Sequence, residues 1–162
     1  MRNRDYRLPL LIVTALVILA DRLSKNWIVA HIKAGSAITL IPGYFRLTHV
    51  LNIGAAFSLG ESFSPLLVRN VLIGFSVLAV VIVFVMLWRV GRALNPTSIA
   101  LALILGGAIG NLYDRLVLKH VVDFLEVKII HYHWPDFNVA DSCIVIGACL
   151  LILEIFRPQQ EV

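Results

Sequence analysis

Charged residues are scarce in this chain. Asp, Glu, Lys and Arg make up 15% of its 162 residues, against about 25% in an ordinary soluble domain. That is too little charge for a hydrated surface, and it sets aside the soluble globular, disordered and fibrous classes. Cysteine is nearly absent as well, with Cys143 and Cys149 both in one apolar stretch. On a helix their spacing is about 9 Å of rise, too far to bridge, so a disulfide scaffold is excluded and both read as small apolar fillers. No His-Glu-x-x-His sequence occurs, which argues against a zinc peptidase of that kind. His131 and His133 would share a strand face but have only His120 as a third partner, so no metal and no cofactor is expected. Repeats, low-complexity runs and flexible linkers are lacking, and the length suits one domain, 1–162. The formal charge of +4 does not indicate a nucleic-acid partner, because basic residues at helix ends also orient membrane proteins.

What fills the chain instead is apolar: 59% of residues, with a mean hydropathy of +0.88. A membrane-crossing helix needs roughly 20 mostly apolar residues, and four segments qualify, near 8–28, 66–88, 96–113 and 138–156. The expected fold is a mostly α membrane protein of four transmembrane helices. The basic Met1–Arg7 followed by an apolar run imitates a secretory signal, but no small-x-small cleavage pattern follows, so the first segment is expected to be a retained helix. Four spans place both termini on one side. The short segments there hold Arg2, Arg4, Arg7, Arg89, Arg92 and Arg157, whereas the loop stretches opposite, 28–65 and 116–137, hold only Lys33, Arg46, Lys119 and Lys128. This bias puts the termini in the cytoplasm and segments 29–65 and 114–137 outside. Trp27, Trp88 and Trp134 fall near span ends, as interfacial aromatics do.

The outer segments alternate with period two, over Tyr44–Asn52 after a Pro42-Gly43 turn and over Val121–His133. A small β-sheet resting on the outer membrane surface is predicted.

Ionisable groups in or beside spans are costly and mark candidate functional sites. Span order alone sends Asp21, Asp114, Asp123 and Asp141 to the same membrane face. The opposite side holds only Asp5, Glu154 and Glu161. Asp123 and Asp141 lie in apolar surroundings. Two carboxyls brought close cannot both ionise, so they share a proton, and one can activate water while the other protonates a carbonyl oxygen or leaving amine. The plainer reading makes each Asp a cap or ion-pair partner, with Asp141 on Arg115 as an example. Asn138 and Asp141 are spaced to share a helix face, as are Asn111 and Asp114, and Asn111 with Arg115. Such asparagines orient a carboxyl, hold substrate backbone, or simply bond between helices. Asp21 and Lys25 are in the favoured i,i+4 order for a structural ion pair, while adjacent Ser24 and Lys25 do not face each other. Gly106-x-x-x-Gly110 suits close helix packing. A proton-coupled transporter, or a structural membrane subunit, would also cluster carboxylates within spans, although these gather at one face and form no chain across the bilayer.

Five blocks in order, spread from the first to the fourth segment, resemble the type II (lipoprotein) signal peptidase family. They are Asp21-Arg22-Leu23-Ser24-Lys25, Asn52-Ile53-Gly54-Ala55-Ala56-Phe57, Gly106 through Arg115, Val121-Val122-Asp123-Phe124, and Phe137-Asn138-Val139-Ala140-Asp141-Ser142. The resemblance implies an aspartic endopeptidase of the bacterial inner membrane with Asp123 and Asp141 as its catalytic pair. It implies that Asn52, Gly54, Asn111, Asp114, Arg115 and Asn138 line or brace the substrate site. It further implies that the substrate is a prolipoprotein carrying a diacylglyceryl cysteine, cut before that cysteine at the periplasmic face, and that globomycin-type inhibitors block the reaction. The expected partners are lipid-modified precursors and membrane lipids, with the chain acting as a monomer.

Overall fold

The structure, a computed structural model, describes residues 5–54, 64–130 and 132–156. Arg2, Arg4, residues 55–57 of the second block, His131 and residues 157–162 lie outside the described residues. Four helices and four strands follow in the order α1 (Arg7–His31), β1 (Ala37–Ile41), β2 (Phe45–Asn52), α2 (Pro65–Val90), α3 (Pro96–Val117), β3 (Val121–Ile129), β4 (Tyr132–His133) and α4 (Val139–Ile155). The apolar runs set the helix bodies and polar caps set where they begin. Ser64 caps α2, with Pro65 at the first helical position where a missing N–H is harmless. Asn95 and Ser98 close a reciprocal capping box on α3.

Helix α3 is the hub and packs against α1, α2 and α4. It can do so because its inner stretch has almost no side chains. A Cβ on Gly107 would stand 2.3 Å from the carbonyl oxygen of Ala140, and one on Gly106 would stand 2.6 Å from Val17 Cβ. Leu10, Leu87, Leu101, Ala102 and Leu105 form a core at one end of the bundle. At the other end Ile28 and Ile32 of α1 meet Val122 and Phe124, which fastens the sheet to the bundle. Much of the outward surface is apolar, including Leu8, Phe75, Leu78, Leu153 and Ile155.

Among the described residues two helices are long and apolar enough to cross a bilayer, Leu66–Val90 and Pro96–Val117. The strands form one antiparallel series, β1-β2-β3-β4. Two details differ from the sequence reading. The sheet gains β1, because Ala37–Ile41 folds back on Phe45–Thr48 across the Pro42-Gly43 turn. The alternation over 121–133 is also not one strand. Ile130 takes φ 57°, the left-handed region that ends a strand, and the chain reverses so that Ile129 pairs with Tyr132. Period two cannot reveal that break, since a tight hairpin keeps apolar residues on both arms.

The packing at Gly107 is testable. Gly107→Ala drives a methyl into helix backbone and should cost about 1–3 kcal/mol. Gly74→Ala on α2 meets nothing within 4 Å and should gain about 0.4–1 kcal/mol. Melting temperatures of the two purified variants check this, and equal shifts would contradict the packing.

Candidate active site

Asp141 sits in the first turn of α4. The sequence spacing suggested that Asn138 shares a helix face with it, but the structure places Asn138 just outside the helix as the N-cap. The Asp141 N–H donates to Asn138 Oδ1 at 2.9 Å, and the Asn138 N–H returns to Asp141 Oδ2 at 3.2 Å. The Asn-x-x-Asp spacing is therefore a capping box. It puts the Asp141 carboxylate at the positive end of the helix dipole. Asp21 secures the same turn from α1 by accepting the Ala140 N–H at 3.0 Å.

Asp123 comes from β3, paired opposite Val50 of β2. Two residue pairs further along, Asn52 donates Nδ2 to Asp123 Oδ2 at 2.9 Å. Its amide has one orientation, because Asn52 Oδ1 accepts the Gly54 N–H at 2.8 Å. That contact needs the chain to turn at φ 98°, a conformation that favours glycine. Asn138 Nδ2 reaches the other oxygen, Asp123 Oδ1, at 2.7 Å. Only 2% of Asp123 is exposed, and burial pushes its carboxyl up to about 6. The charge of Asp141 adds to the rise, while the Asn52 and Asn138 amides oppose it. Among the described residues no direct hydrogen bond joins the two carboxyls. They meet through Asn138, which holds Asp141 with its backbone and Asp123 with its side chain. A pocket of about 290 Å³ opens against Asn52, Ile53, Asp123 and Asp136.

Beneath the pair lies a buried charge network. Asn111 Nδ2 donates to Asp141 Oδ1 at 2.8 Å. Lys25 Nζ bonds Asn111 Oδ1 at 3.1 Å and ion-pairs with Asp21 and Asp114, each at 2.8 Å. Lys25, Asp21 and Asp114 have no exposed surface at all, a condition that buried charges tolerate only when paired. Arg22 also pairs with Asp114.

The structure thus brings Asn52, Asn111 and Asn138 onto the two carboxyls and Gly54 onto Asn52. It does not bring Asp114 to them. That side chain faces Lys25 and Arg22, and its tie to this region is the Val122 N–H at 3.4 Å, one residue before Asp123. Arg115 makes no ion pair with Asp141 among the described residues. Its Nη1 donates to the Asn111 carbonyl at 3.3 Å and to Ser76 Oγ at 3.5 Å. Two participants were missed by the sequence reading. Arg22, next to Asp21, was passed over because its partner is on another helix. Asp136 at the pocket edge accepts from Thr48 Oγ1 at 2.6 Å, and the only signal for it was an acid beside Pro135. Among the described residues no group of three His, Cys, Asp or Glu side chains could hold a metal ion. Chemically, a helix-capping carboxylate and a buried, proton-retaining one can divide the roles of base and acid.

This bundle with its capping sheet is the fold of a bacterial membrane enzyme. Two solved structures so described superpose on it. One has a TM-score of 0.83 at 24% identity, covering 100% of this chain and 99% of the other. The second scores 0.78 at 26% identity, covering 98% and 99%. More particularly, the chain belongs to the signal peptidase (SPase) II family of peptidases, whose model matches residues 13–157. Among its relatives, the lipoprotein signal peptidase of Pseudomonas aeruginosa strain UCBPP-PA14 is 43% identical over 98% of this chain and 94% of that one. That of Alteromonas mediterranea is 40% identical over 95% and 84%, and that of Solibacter usitatus is 36% identical over 92% and 91%.

The raised Asp123 carboxyl has a consequence for stability. Between 3.8, its ordinary value, and about 6 the folded chain holds a proton that the unfolded chain has lost. Stability should therefore fall as pH rises through that window, by on the order of 3 kcal/mol. Asp123→Asn should flatten this slope. Melting temperatures of both proteins from pH 4 to 6.5 test it, and parallel curves would contradict the assignment.

Proposed function

We propose that this chain is an aspartic endopeptidase that removes the signal peptide from diacylglyceryl-modified prolipoproteins, cutting before the lipid-modified cysteine. The observation that carries this reading is the convergence of Asp123 and Asp141 on Asn138, in a chain of the signal peptidase II family. The names of the relatives supply the substrate class.

In the proposed reaction Asp141 is the base. It sits at the N-terminus of α4 and takes a proton from a water lying between the carboxyls. Asp123 is the acid, and its burial keeps a proton on it to polarise the scissile carbonyl. The water oxygen adds to that carbonyl carbon. As the C–N bond breaks, a proton passes to the departing cysteine amine, giving a carboxyl on the signal peptide and an amine on the lipid-bearing product. No metal, cofactor or acyl-enzyme takes part. Asn52, Gly54, Asn111 and Asn138 orient the carboxyls. Arg115 has guanidinium nitrogens beyond Nη1 to offer a substrate carbonyl. Asp114, with Asp21 and Lys25, braces the helices below.

The proposed setting is the inner membrane, with α1 to α4 as four spans of a single domain, both termini cytoplasmic and the pair at the periplasmic face. Helix α4 has 17 residues, at the short limit for a span, and α1 carries its charges toward one end, where Asp21, Arg22 and Lys25 are paired. The apolar outward surface suits lipid contact. The substrate's acyl chains would then lie in the bilayer and deliver the peptide bond at surface depth, beneath β2 and β3. The enzyme is proposed to act as a monomer, open to inhibition by globomycin-type peptides.

Mass spectrometry of a synthetic diacylglyceryl-cysteine precursor incubated with the pure protein tests this. Wild type should release a peptide ending just before the modified cysteine. Asp123→Asn and Asp141→Asn, with folding matched, should each slow release by about 10²–10⁴-fold. Rates should fall above about 6 as Asp123 loses its proton. Either variant working within about threefold of wild type would overturn the reading.

A further inference from the structure

We infer that Lys25 is a positioning residue for the aspartate pair: its ammonium holds Asn111 Oδ1 and so aims the Asn111 amide nitrogen at Asp141. This inference rests on the reading of Asp123 and Asp141 as the acting pair.

Asn111 has one end that accepts and one that donates, and on geometry alone either could face Asp141. A lysine ammonium has three donors and no acceptor, so it fixes which end faces it. Lys25 lies wholly buried and its three N–H groups meet three oxygens, Asp21 Oδ2 and Asp114 Oδ2 at 2.8 Å and Asn111 Oδ1 at 3.1 Å. With Oδ1 held there, Nδ2 points the other way and meets Asp141 Oδ1 at 2.8 Å. The same Oδ1 accepts from Asn138 Nδ2 at 3.2 Å, the amide that also bonds Asp123. The ammonium, together with the Asn138 amide, therefore sets the polarity of the Asn111 amide on Asp141.

Charge neutralisation alone does not account for this arrangement. Two buried carboxylates, Asp21 and Asp114, face two cations, because Arg22 also pairs with Asp114. The third Lys25 bond goes to a neutral amide and adds nothing to that balance. The other two asparagines around the pair have their oxygens fixed by backbone N–H groups, Gly54 for Asn52 and Asp141 for Asn138. Asn111 is a helical residue whose oxygen meets no backbone donor among the described residues; its donors are the Lys25 ammonium from α1 and the Asn138 amide. The charged groups around this path are Asp21 and Arg22 on α1, Asp114 and Arg115 on α3, Asp123 on β3 and Asp141 on α4.

The test is the double variant Asp21→Asn/Lys25→Met, which removes the ammonium without leaving Asp21 unpaired. With melting temperature checked, kcat on the lipid-modified precursor should fall by about 10²-fold, and KM should stay within a factor of about two. Adding Asn111→Leu should lower kcat little further, since both changes cut the same path. A kcat near wild type, a loss confined to KM, or fully multiplicative losses would overturn the inference. Asp123→Asn is the control on the underlying reading. If it still cleaves, the pair itself is wrong; if it is dead while the double variant is fully active, the pair stands and Lys25 is only structural. Should the double variant fail to fold, Asn111→Asp decides. It keeps a partner for Lys25 but has a donor for Asp141, a carboxyl O–H, only when protonated, so its optimum should move to lower pH. An unchanged optimum would count against the inference.

Discussion

A charge can be buried only if its hydrogen-bonding capacity is met, and the outer end of this bundle is organised by that requirement. Removing a carboxylate or ammonium from water costs several kcal/mol even after relaxation. Lys25, Asp21 and Asp114 are nonetheless wholly buried. Each must find its partners on neighbouring elements, and those partners tie α1 to α3 and, through the Ala140 N–H, to α4. A slip of α1 along α3 would strand a charge. The close α3 contacts around Gly106 and Gly107 set the distance between helices, and the buried charges set their register.

From that register the site follows. Asn111 stands above Lys25, Asn138 caps α4, and Asn52 ends β2 beside a glycine turn. Three asparagines from three elements direct N–H groups onto two carboxyls that arrive from a strand and a helix. Neutral amides suit this work. They fix direction without adding charge, so the two acids remain free to differ. Asp141 stands in the first turn of a helix, and Asp123 is held toward its neutral form by burial. A peptidase working by proposed acid–base division needs that asymmetry.

The sequence revealed the helices, since uninterrupted apolar runs leave few alternatives, and their order alone gathers four aspartates at one end. The Asp21–Lys25 contact was legible because i,i+4 neighbours on a helix are local. Arg22 with Asp114 was not, because they are 92 positions apart and no periodicity connects them. Asn138 illustrates a different limit. Its spacing to Asp141 fits both a shared helix face and a capping box, and only the place where the helix begins separates the two. The hairpin at Ile130 was invisible for a similar reason, as the alternation continues across the turn. The link between Asp123 and Asp141 through Asn138, in place of direct contact, depends on sheet and helix geometry that no pattern of residue types specifies.

The most direct measurement is a high-resolution crystal structure of the wild-type protein grown from lipid at a pH near its activity optimum. The account predicts one ordered water within hydrogen-bonding distance of both Asp123 and Asp141. It also predicts the amide nitrogens of Asn52 and Asn138 on Asp123 and that of Asn111 on Asp141. Carboxyls turned into separate compartments, each neutralised by its own arginine or lysine with no water shared between them, would contradict it.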